Sequence, residues 1–259
     1  MSTDTEKRHL SKIIDQFSKQ AAPFAELHIH MDAMELLLEM SGVRKDDTVL
    51  DVACGPGLVA CEFAPLASHV TGIDITEAMI EKARALGREK KLGNVEWVCG
   101  NADPLPFGDG SYSLVITRYS FHHFLDPERA LGDMIRVCSP GGRVMVADVC
   151  VGEEHSEIYD AMEKLRDESH VHALTDPEFM DMFVRSGLKD LKRSGYGLDA
   201  DVESLLDASS HSPLERERIL DMIEADIGVN KIGINARYED RRLVFTFPIA
   251  VFAGVKPGA

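Results

Sequence analysis

"TVLDVACGPGLVACEF", residues 48–63, runs from a strand-like apolar segment into a helix-like one, with two glycines and a proline at the junction. The spacing at this corner is Gly55-x-Gly57-x-x-Ala60. Glycines there allow a tight turn and leave no Cβ to keep a ligand away from the backbone. The amide end of the following helix would favour an anion or a carboxylate. The pattern alone fits either a nucleotide-binding loop or a plain strand-to-helix turn.

Short apolar segments rich in β-branched residues surround this corner and alternate with helix-like segments. Residues 1–46 precede them with two amphipathic helical patterns. The strand-like segments are TVLDVAC, HVTGIDI, VEWVCGNA, YSLVITR and GRVMVADV, followed later by LKDLKRSGYGL and RRLVFTFPIAVFAGVKP. This alternation predicts a parallel sheet with crossover helices.

Helix-capping residues and one proline refine this outline. Thr76, Asp126 and Thr175 stand where helices should begin and are residue types that cap a first turn. Pro248 lies inside the last strand-like segment and cannot donate to a sheet ladder. We therefore expect a bulge or an edge of the sheet at Pro248.

The charge balance limits the classes of partner. The chain has 259 residues, with 44 acidic and 28 basic side chains and a formal net charge of −16. Such a charge would repel a phosphate backbone, so we expect no nucleic-acid partner. No run of about 18 apolar residues is present and the amino terminus is charged, which predicts a soluble cytoplasmic protein without a membrane partner. The five scattered cysteines indicate neither a disulfide framework nor a zinc site.

Three acidic residues follow three successive strand-like segments and narrow the choice of ligand. Asp74 ends the second segment, where a carboxylate can accept both hydroxyls of a ribose, as in dinucleotide-binding enzymes. Asp51 lies before the glycines, where it would repel a pyrophosphate but attract an ammonium or a sulfonium. Asp103 follows the third segment. A ligand with a ribose, an adenine, a cationic amino-acid end and no phosphate suits all three acids, and S-adenosylmethionine is such a ligand.

The ordered set of motifs resembles class I S-adenosylmethionine-dependent methyltransferases. The motifs are VLDVACGPG, GIDIT, GNADPLPFGDGSYSLVITRYSFHHF and RVCSPGGRVMVADV, which together cover about residues 48–150. They are similar to the small-molecule branch that includes the quinone-biosynthesis (menaquinone and ubiquinone) C-methyltransferases. The resemblance implies a Rossmann-like, doubly wound α/β sheet of seven strands, with the last strand antiparallel and helical lid insertions.

We expect one methyltransferase domain over residues 1–259. Residues 1–46 would form an amino-terminal helical lid and residues 47–150 the cofactor-binding core. Residues 151–240 would hold acceptor-side insertions with one sheet strand, and residues 241–259 the final strand. The sequence leaves open whether the protein is a monomer or a homodimer.

The resemblance also implies roles for residues at the amino-acid end of the cofactor. Asp51, Gly55 and Gly57 would surround the methionine part. Arg118, at the end of the fourth strand, would lie beside the sulfonium.

Further positions would hold the adenosine. Asp74 would bind the ribose, and Ile75 and Met79 would touch the adenosine. The backbone of Ala102 and the carboxylate of Asp103 would lie at the adenine.

Histidines are the candidates for acid–base chemistry. His122 and His123 lie just after the fourth strand, where the acceptor pocket of the resembled family opens, and a histidine there could take a proton. Arg166 and His170 are candidate contacts to an anionic or oxygenated acceptor. We expect no metal site, although His28 and His30 are separated by a single residue, a spacing that metal ligands sometimes have.

The predicted function is methyl transfer from S-adenosylmethionine to a small molecule, with a quinone-like or aromatic carbon as the target. O- or N-methylation of a small metabolite is the alternative within this class. Two alternatives of other classes remain open at this point: a nicotinamide-dependent oxidoreductase, if Asp51 is only a structural hydrogen bonder, and a cofactor-binding protein without catalysis.

Overall fold

The computed structural model of the protein describes residues 3–26, 34–209 and 211–258. His28 and His30 lie outside the described residues. The α-helices are α1 (Asp4–Glu26), α2 (Met34–Ser41), α3 (Leu58–Phe63), α4 (Glu77–Glu89), α5 (Pro127–Val137), α6 (Ser156–Arg166), α7 (Asp176–Arg185), α8 (Val202–Asp207) and α9 (Pro213–Asp226). None of them, within the described ranges, combines the length and the apolar character needed to cross a bilayer.

The strands form one mixed sheet. They are β1 (Thr48–Val52), β2 (His69–Asp74), β3 (Val95–Cys99), β4 (Tyr112–Arg118), β5 (Cys138–Val149), β6 (Lys189–Asp201), β7 (Arg237–Glu239) and β8 (Arg242–Val255). Their order is β3-β2-β1-β4-β5-β8-β6, and the short β7 pairs with β8. The first five strands pair in parallel, whereas β8 runs antiparallel to both neighbours. The predicted doubly wound sheet with an antiparallel last strand is confirmed, and β7 adds an eighth strand.

The strand order creates the opening that the site needs. From β1 the chain builds outward to β2 and β3 on one side, then returns to place β4 on the other side of β1. In open α/β sheets, ligands bind at the carboxyl ends of the strands where the order reverses in this way. The corner after β1 lies at that switch point.

Helices cover both faces of the sheet, and this explains why β1 is apolar on both sides. Val49 packs on one face with Leu37, whereas the next residue, Leu50, packs on the other with Leu131 and Phe179. This alternation follows from the two-residue period of a strand.

The predicted helix starts are confirmed at two of three places. The side chain of Asp126 accepts from the amide of Arg129 at the start of α5, and a capping box formed by Thr175 and Glu178 begins α7. The prediction for Thr76 is wrong in detail, because its side chain makes no capping hydrogen bond.

Pro248 lies in β8 without a bulge. It pairs in continuous register with Gly197 of β6. On the other side β5 ends at Val149, one register position before Pro248, and the amide of Cys150 donates to the Pro248 carbonyl at 2.8 Å. The missing N–H of Pro248 therefore points to a side where the partner strand has ended, which fits the predicted edge rather than the predicted bulge.

Candidate active site

A cavity of about 810 Å³ opens at the carboxyl ends of β1, β2 and β4. Its volume falls within the range of roughly 300–1,000 Å³ that is typical of small-molecule sites. Eight of the nine residues predicted to hold the cofactor line this cavity: Asp51, Gly55, Asp74, Ile75, Met79, Ala102, Asp103 and Arg118. The sheet topology thus brings together residues from four separate stretches of sequence.

Asp51 lies at the bottom of the cavity. Its side chain is almost completely buried, and Oδ2 accepts a hydrogen bond from the amide of Ala60 at 3.0 Å. Burial raises the pKa of Asp51 to about 7; the Ala60 amide and the Arg118 charge oppose this shift, whereas the Asp74 charge adds to it. The site therefore contains a carboxyl that a positively charged ligand would ionise.

Asp74, the last residue of β2, connects that strand to the corner through hydrogen bonds. Its Oδ2 accepts from the amide of Gly55 at 2.9 Å, and its Oδ1 accepts from the amide of Thr76 at 2.8 Å. Burial raises the pKa of Asp74 although both amides lower it. A carboxylate has about four lone-pair positions, so each oxygen can still accept from a ligand hydroxyl.

The two glycines of the corner differ in their surroundings. Both have positive φ, 52° at Gly55 and 83° at Gly57. A Cβ on Gly55 would meet nothing within 4 Å, whereas one on Gly57 would lie 2.5 Å from the ring of Trp97. Gly57 does not line the cavity in the described structure. Its missing side chain makes room for Trp97, while the missing side chain of Gly55 leaves the backbone open to the cavity.

Asp103 is held by a residue that the sequence analysis missed. Arg129 of α5 donates to Asp103 Oδ2 from Nη2 at 2.6 Å and from Nε at 2.9 Å. The same guanidinium lies 3.3 Å from Glu6 on α1. An arginine on an exposed helix face gives no sequence signal for this role, because only the fold brings α1 and α5 to the same rim.

Helix α1 forms the wall opposite the sheet. Leu10 and Ile13 line the cavity from this helix, and Phe17 meets the ring of His123 edge-on at a centroid distance of 5.2 Å. Nε2 of His9 lies 2.7 Å from the carbonyl oxygen of His123. The wall is therefore mostly apolar and is fixed to the turn that follows β4.

The two histidines after β4 have different environments. Burial alone would lower the pKa of His122, but Asp148, 2.6 Å from its Nδ1, raises it above the ordinary value. Burial and the neighbouring His122 lower the pKa of His123 to about 3. His123 lines the cavity, whereas His122 is not among the described lining residues. His123 is therefore a neutral imidazole at the wall, and His122 is paired behind it.

Arg166 and His170, predicted as acceptor contacts, do not line this cavity in the described structure. Nη2 of Arg166 lies 2.5 Å from Glu163, and Nε2 of His170 lies 2.7 Å from Asp160. Both side chains are thus engaged by carboxylates of α6. No cluster of histidine, cysteine and acidic side chains within the described residues is arranged to hold a metal ion.

Comparisons with known proteins agree with this geometry. A family model described as "Methyltransferase domain" matches residues 50–146. The chain is 29% identical to the uncharacterized methyltransferase YcgJ of Bacillus subtilis over 206 residues, which span 78% of this chain and 81% of YcgJ. The crystal structure of YcgJ superposes with a TM-score of 0.80 at 24% identity, over 88% of this chain and 99% of that one.

A second relative is the ubiquinone/menaquinone biosynthesis C-methyltransferase UbiE of Klebsiella pneumoniae. It is 35% identical over 143 residues. That alignment spans 51% of this chain and 55% of UbiE, so nearly half of UbiE has no counterpart in it. Together with the matched domain and the fold, these relatives support a class I S-adenosylmethionine-dependent methyltransferase with UbiE-like relatives.

Proposed function

We propose that the protein methylates a small organic acceptor, and that the methylated atom is a carbon of a quinone-like or aromatic ring. The observation that carries this proposal is that the acids of the corner and the apolar wall of α1 face the same cavity. An apolar wall beside a charged floor suits a flat ring with few polar groups. The name of the UbiE relative, a C-methyltransferase of quinone biosynthesis, supports the same acceptor class.

The residues around the cavity fit S-adenosylmethionine by charge. Asp51 and Asp74 are buried carboxyls with raised pKa values, and in the described structure neither of them forms an ion pair. A cationic ligand would compensate their burial. We propose that Asp51 binds the ammonium and that Asp74 binds the ribose hydroxyls.

The remaining predicted contacts follow from position. We propose that the open backbone at Gly55 allows the amino-acid tail to lie against the corner. Ile75 and the buried Met79 would pack on the adenosine, and Ala102 and Asp103 would meet the adenine. Gly57, which faces Trp97, would act through the shape of the turn rather than by touching the ligand.

The protein contributes to the reaction by positioning the acceptor and by excluding water from the cavity. When bound, S-adenosylmethionine supplies an electrophilic methyl group on a sulfonium. Holding an acceptor in line with that methyl in a dry cavity supplies a large part of the rate acceleration. Leu10, Ile13 and Phe17 of α1 would close the cavity above the acceptor. Whether a histidine acts as a base stays a prediction; of the two candidates, His123 lines the cavity and His122 does not.

The test uses the protein with labelled S-adenosylmethionine and a panel of small acceptors: hydroquinones and naphthols against matched amines and aliphatic alcohols. We expect label in the ring acceptors, with the new methyl on carbon in the product's NMR spectrum. Label only on oxygen or nitrogen would favour the alternative, O- or N-methylation of a small metabolite. Tight binding of S-adenosylhomocysteine with no turnover of any acceptor would favour a binding protein without catalysis.

A further inference from the structure

Three partly buried arginines of this protein differ in how their charge is compensated. Arg143 lies 2.5 Å from Asp47, and Arg166 lies 2.5 Å from Glu163. Arg118 is also partly buried, yet its Nη1 is buried and has no hydrogen-bond partner among the described residues. A buried donor on a cation is costly when it is left unpaired. Among these three, Arg118 is therefore the arginine that no carboxylate of the described residues pairs with directly.

Contacts with neighbouring residues fix the position of the Arg118 guanidinium. Its guanidinium carbon lies 4.8 Å from the centre of the Tyr119 ring. Tyr119 has a positive φ of 56°, which is uncommon for a bulky residue, and its amide donates to the Ala147 carbonyl at 2.8 Å. The Tyr119 hydroxyl lies 2.7 Å from that of Tyr196 on β6. These contacts hold the ring on which the guanidinium rests, at the edge of the cavity.

Asp51 attracts this cation but forms no ion pair with it in the described structure. The charge of Arg118 lowers the pKa of Asp51, so the two groups attract each other, but the Asp51 carboxyl bonds the Ala60 amide instead. If Asp51 binds the cofactor's ammonium, as proposed above, its charge is already matched. A guanidinium and a sulfonium would then share one cavity and repel each other. An anionic oxygen between them would remove that repulsion.

We propose that Arg118 binds an anionic oxygen of the methyl acceptor, so that the acceptor is a phenolate, an enolate or a carboxylate. This inference rests on the proposed function, because it places the acceptor in the cavity with the cofactor. A guanidinium can donate two parallel hydrogen bonds to such an oxygen or carboxylate. It would also favour ionisation of a phenol or enol on binding, with that proton released to solvent, so no base is needed for the hydroxyl proton; after methylation of a ring carbon, the proton of that carbon still has to leave.

The test measures binding rather than turnover. Protein saturated with S-adenosylhomocysteine is titrated in a calorimeter with 2-naphthoate and with its neutral counterpart 2-naphthamide. We expect the wild type to prefer the anion by about tenfold or more, as charged hydrogen bonds do. Arg118→Gln should reduce this preference to about twofold or less, and Arg118→Lys should keep part of it. In parallel, the absorption of bound 2-naphthol should show a larger naphtholate fraction than in buffer at the same pH.

Arg185→Gln is the matched control. It removes one charge from an arginine that is 57% exposed, pairs with Glu128 and Asp181, and does not line the cavity in the described structure. We expect its anion preference to equal that of the wild type.

Several outcomes would overturn the proposal. No preference of the wild type for naphthoate, or no binding of naphthoate at millimolar concentration, would each do so, even if Arg118→Gln fails to fold. A second source of the anion is the cofactor's own carboxylate. If Arg118→Gln weakens S-adenosylhomocysteine about tenfold but leaves its decarboxylated analogue unchanged, that carboxylate is the partner and the proposal is wrong. Failure of S-adenosylhomocysteine to bind the wild type at all would instead refute the proposed function.

Discussion

Two regions of the molecule bury acidic side chains in opposite ways. At the corner after β1, burial raises the pKa values of Asp51 and Asp74, and backbone amides are their partners. In the α6 network, defined here as Asp160, Glu163, Arg166 and His170, burial is outweighed by the partners of the acids. Hydrogen bonds from His170 and His172 lower the pKa of Asp160, and the Arg166 charge lowers that of Glu163. The first region leaves negative charge for a ligand to match, whereas the second is complete without one.

This difference separates a binding site from a structural network of the same residue types. A buried carboxylate that its own fold has not neutralised is destabilising until a cation arrives. A buried carboxylate with an arginine or histidine partner becomes strongly destabilising when that partner is removed. Mutations should therefore damage ligand binding in the first region and folding in the second.

The largest effect should come from the α6 network. Arg166→Met leaves Glu163 buried without its cation, so we expect the free energy of unfolding to fall by about 3–5 kcal/mol. Urea denaturation measures this change. The affinity of the remaining folded protein for S-adenosylhomocysteine should be unchanged, because Arg166 does not line the cavity in the described structure.

Arg185→Met is the control for that experiment. Its ion pairs are exposed and screened by water, so the substitution should change the free energy of unfolding little. If Arg166→Met kept its stability but lost affinity for an acceptor, Arg166 would be a ligand contact after all, and the contrast between the regions would fail.

The next effect concerns Asp74. Asp74→Ala removes the carboxylate proposed to bind the ribose hydroxyls, so we expect the affinity for S-adenosylhomocysteine to fall by about 1.5–3 kcal/mol. Calorimetry on the folded variant measures it. Asp109→Ala is the control, since Asp109 is 81% exposed and lies outside the lining residues. Unchanged affinity in a folded Asp74→Ala protein would show that Asp74 does not face the ribose.

A smaller effect is expected from pH, through Asp51. Because the pKa of Asp51 is about 7 in the free protein, most of this carboxyl is protonated at pH 6 and most is ionised at pH 8. An ammonium binds the ionised form, so the affinity for S-adenosylhomocysteine should rise by up to about tenfold between these values. Asp51→Asn should bind weakly and remove most of this dependence. A flat profile in the wild type would contradict the proposed ammonium contact.

The same shift has a consequence for the free protein. The pKa of Asp51 is raised above its unfolded value of 3.8, so its contribution to stability is present below pH 4 and is lost as pH rises toward 7. Bound cofactor should reduce this loss, because it stabilises the ionised form. Thermal unfolding with and without S-adenosylhomocysteine at pH 5 and pH 8 measures both.

The fold was largely predictable from local patterns, because strand-like and helix-like segments alternate and acids follow the strands. The sheet order then followed from general rules of α/β topology, and it brought Asp51, Asp74 and Arg118 to one cavity. These side chains lie at strand ends, where the sequence position alone implies the location.

The remaining parts depend on long-range packing that no local pattern encodes. Gly57 matched a ligand-binding motif, but its space is filled by Trp97 of a distant strand. Arg166 and His170 had the chemistry of acceptor contacts, but α6 turns its own carboxylates toward them. Arg129 belongs to no recognisable motif, and it reaches Asp103 only because α5 lies at the rim of the cavity.

The smallest effect should come from His123. A pKa of about 3 means that this imidazole holds a proton poorly, and Nδ1 lies 3.1 Å from the Ser169 carbonyl. If it only shapes the wall, His123→Phe should keep the edge contact with Phe17 and lower turnover of a panel acceptor by less than about tenfold, with cofactor affinity retained. A general base contributes about 10²–10⁴-fold. A loss in that range, accompanied by a changed pH profile of kcat, would make His123 a base that removes a proton of the acceptor, either from its hydroxyl or from the methylated ring carbon.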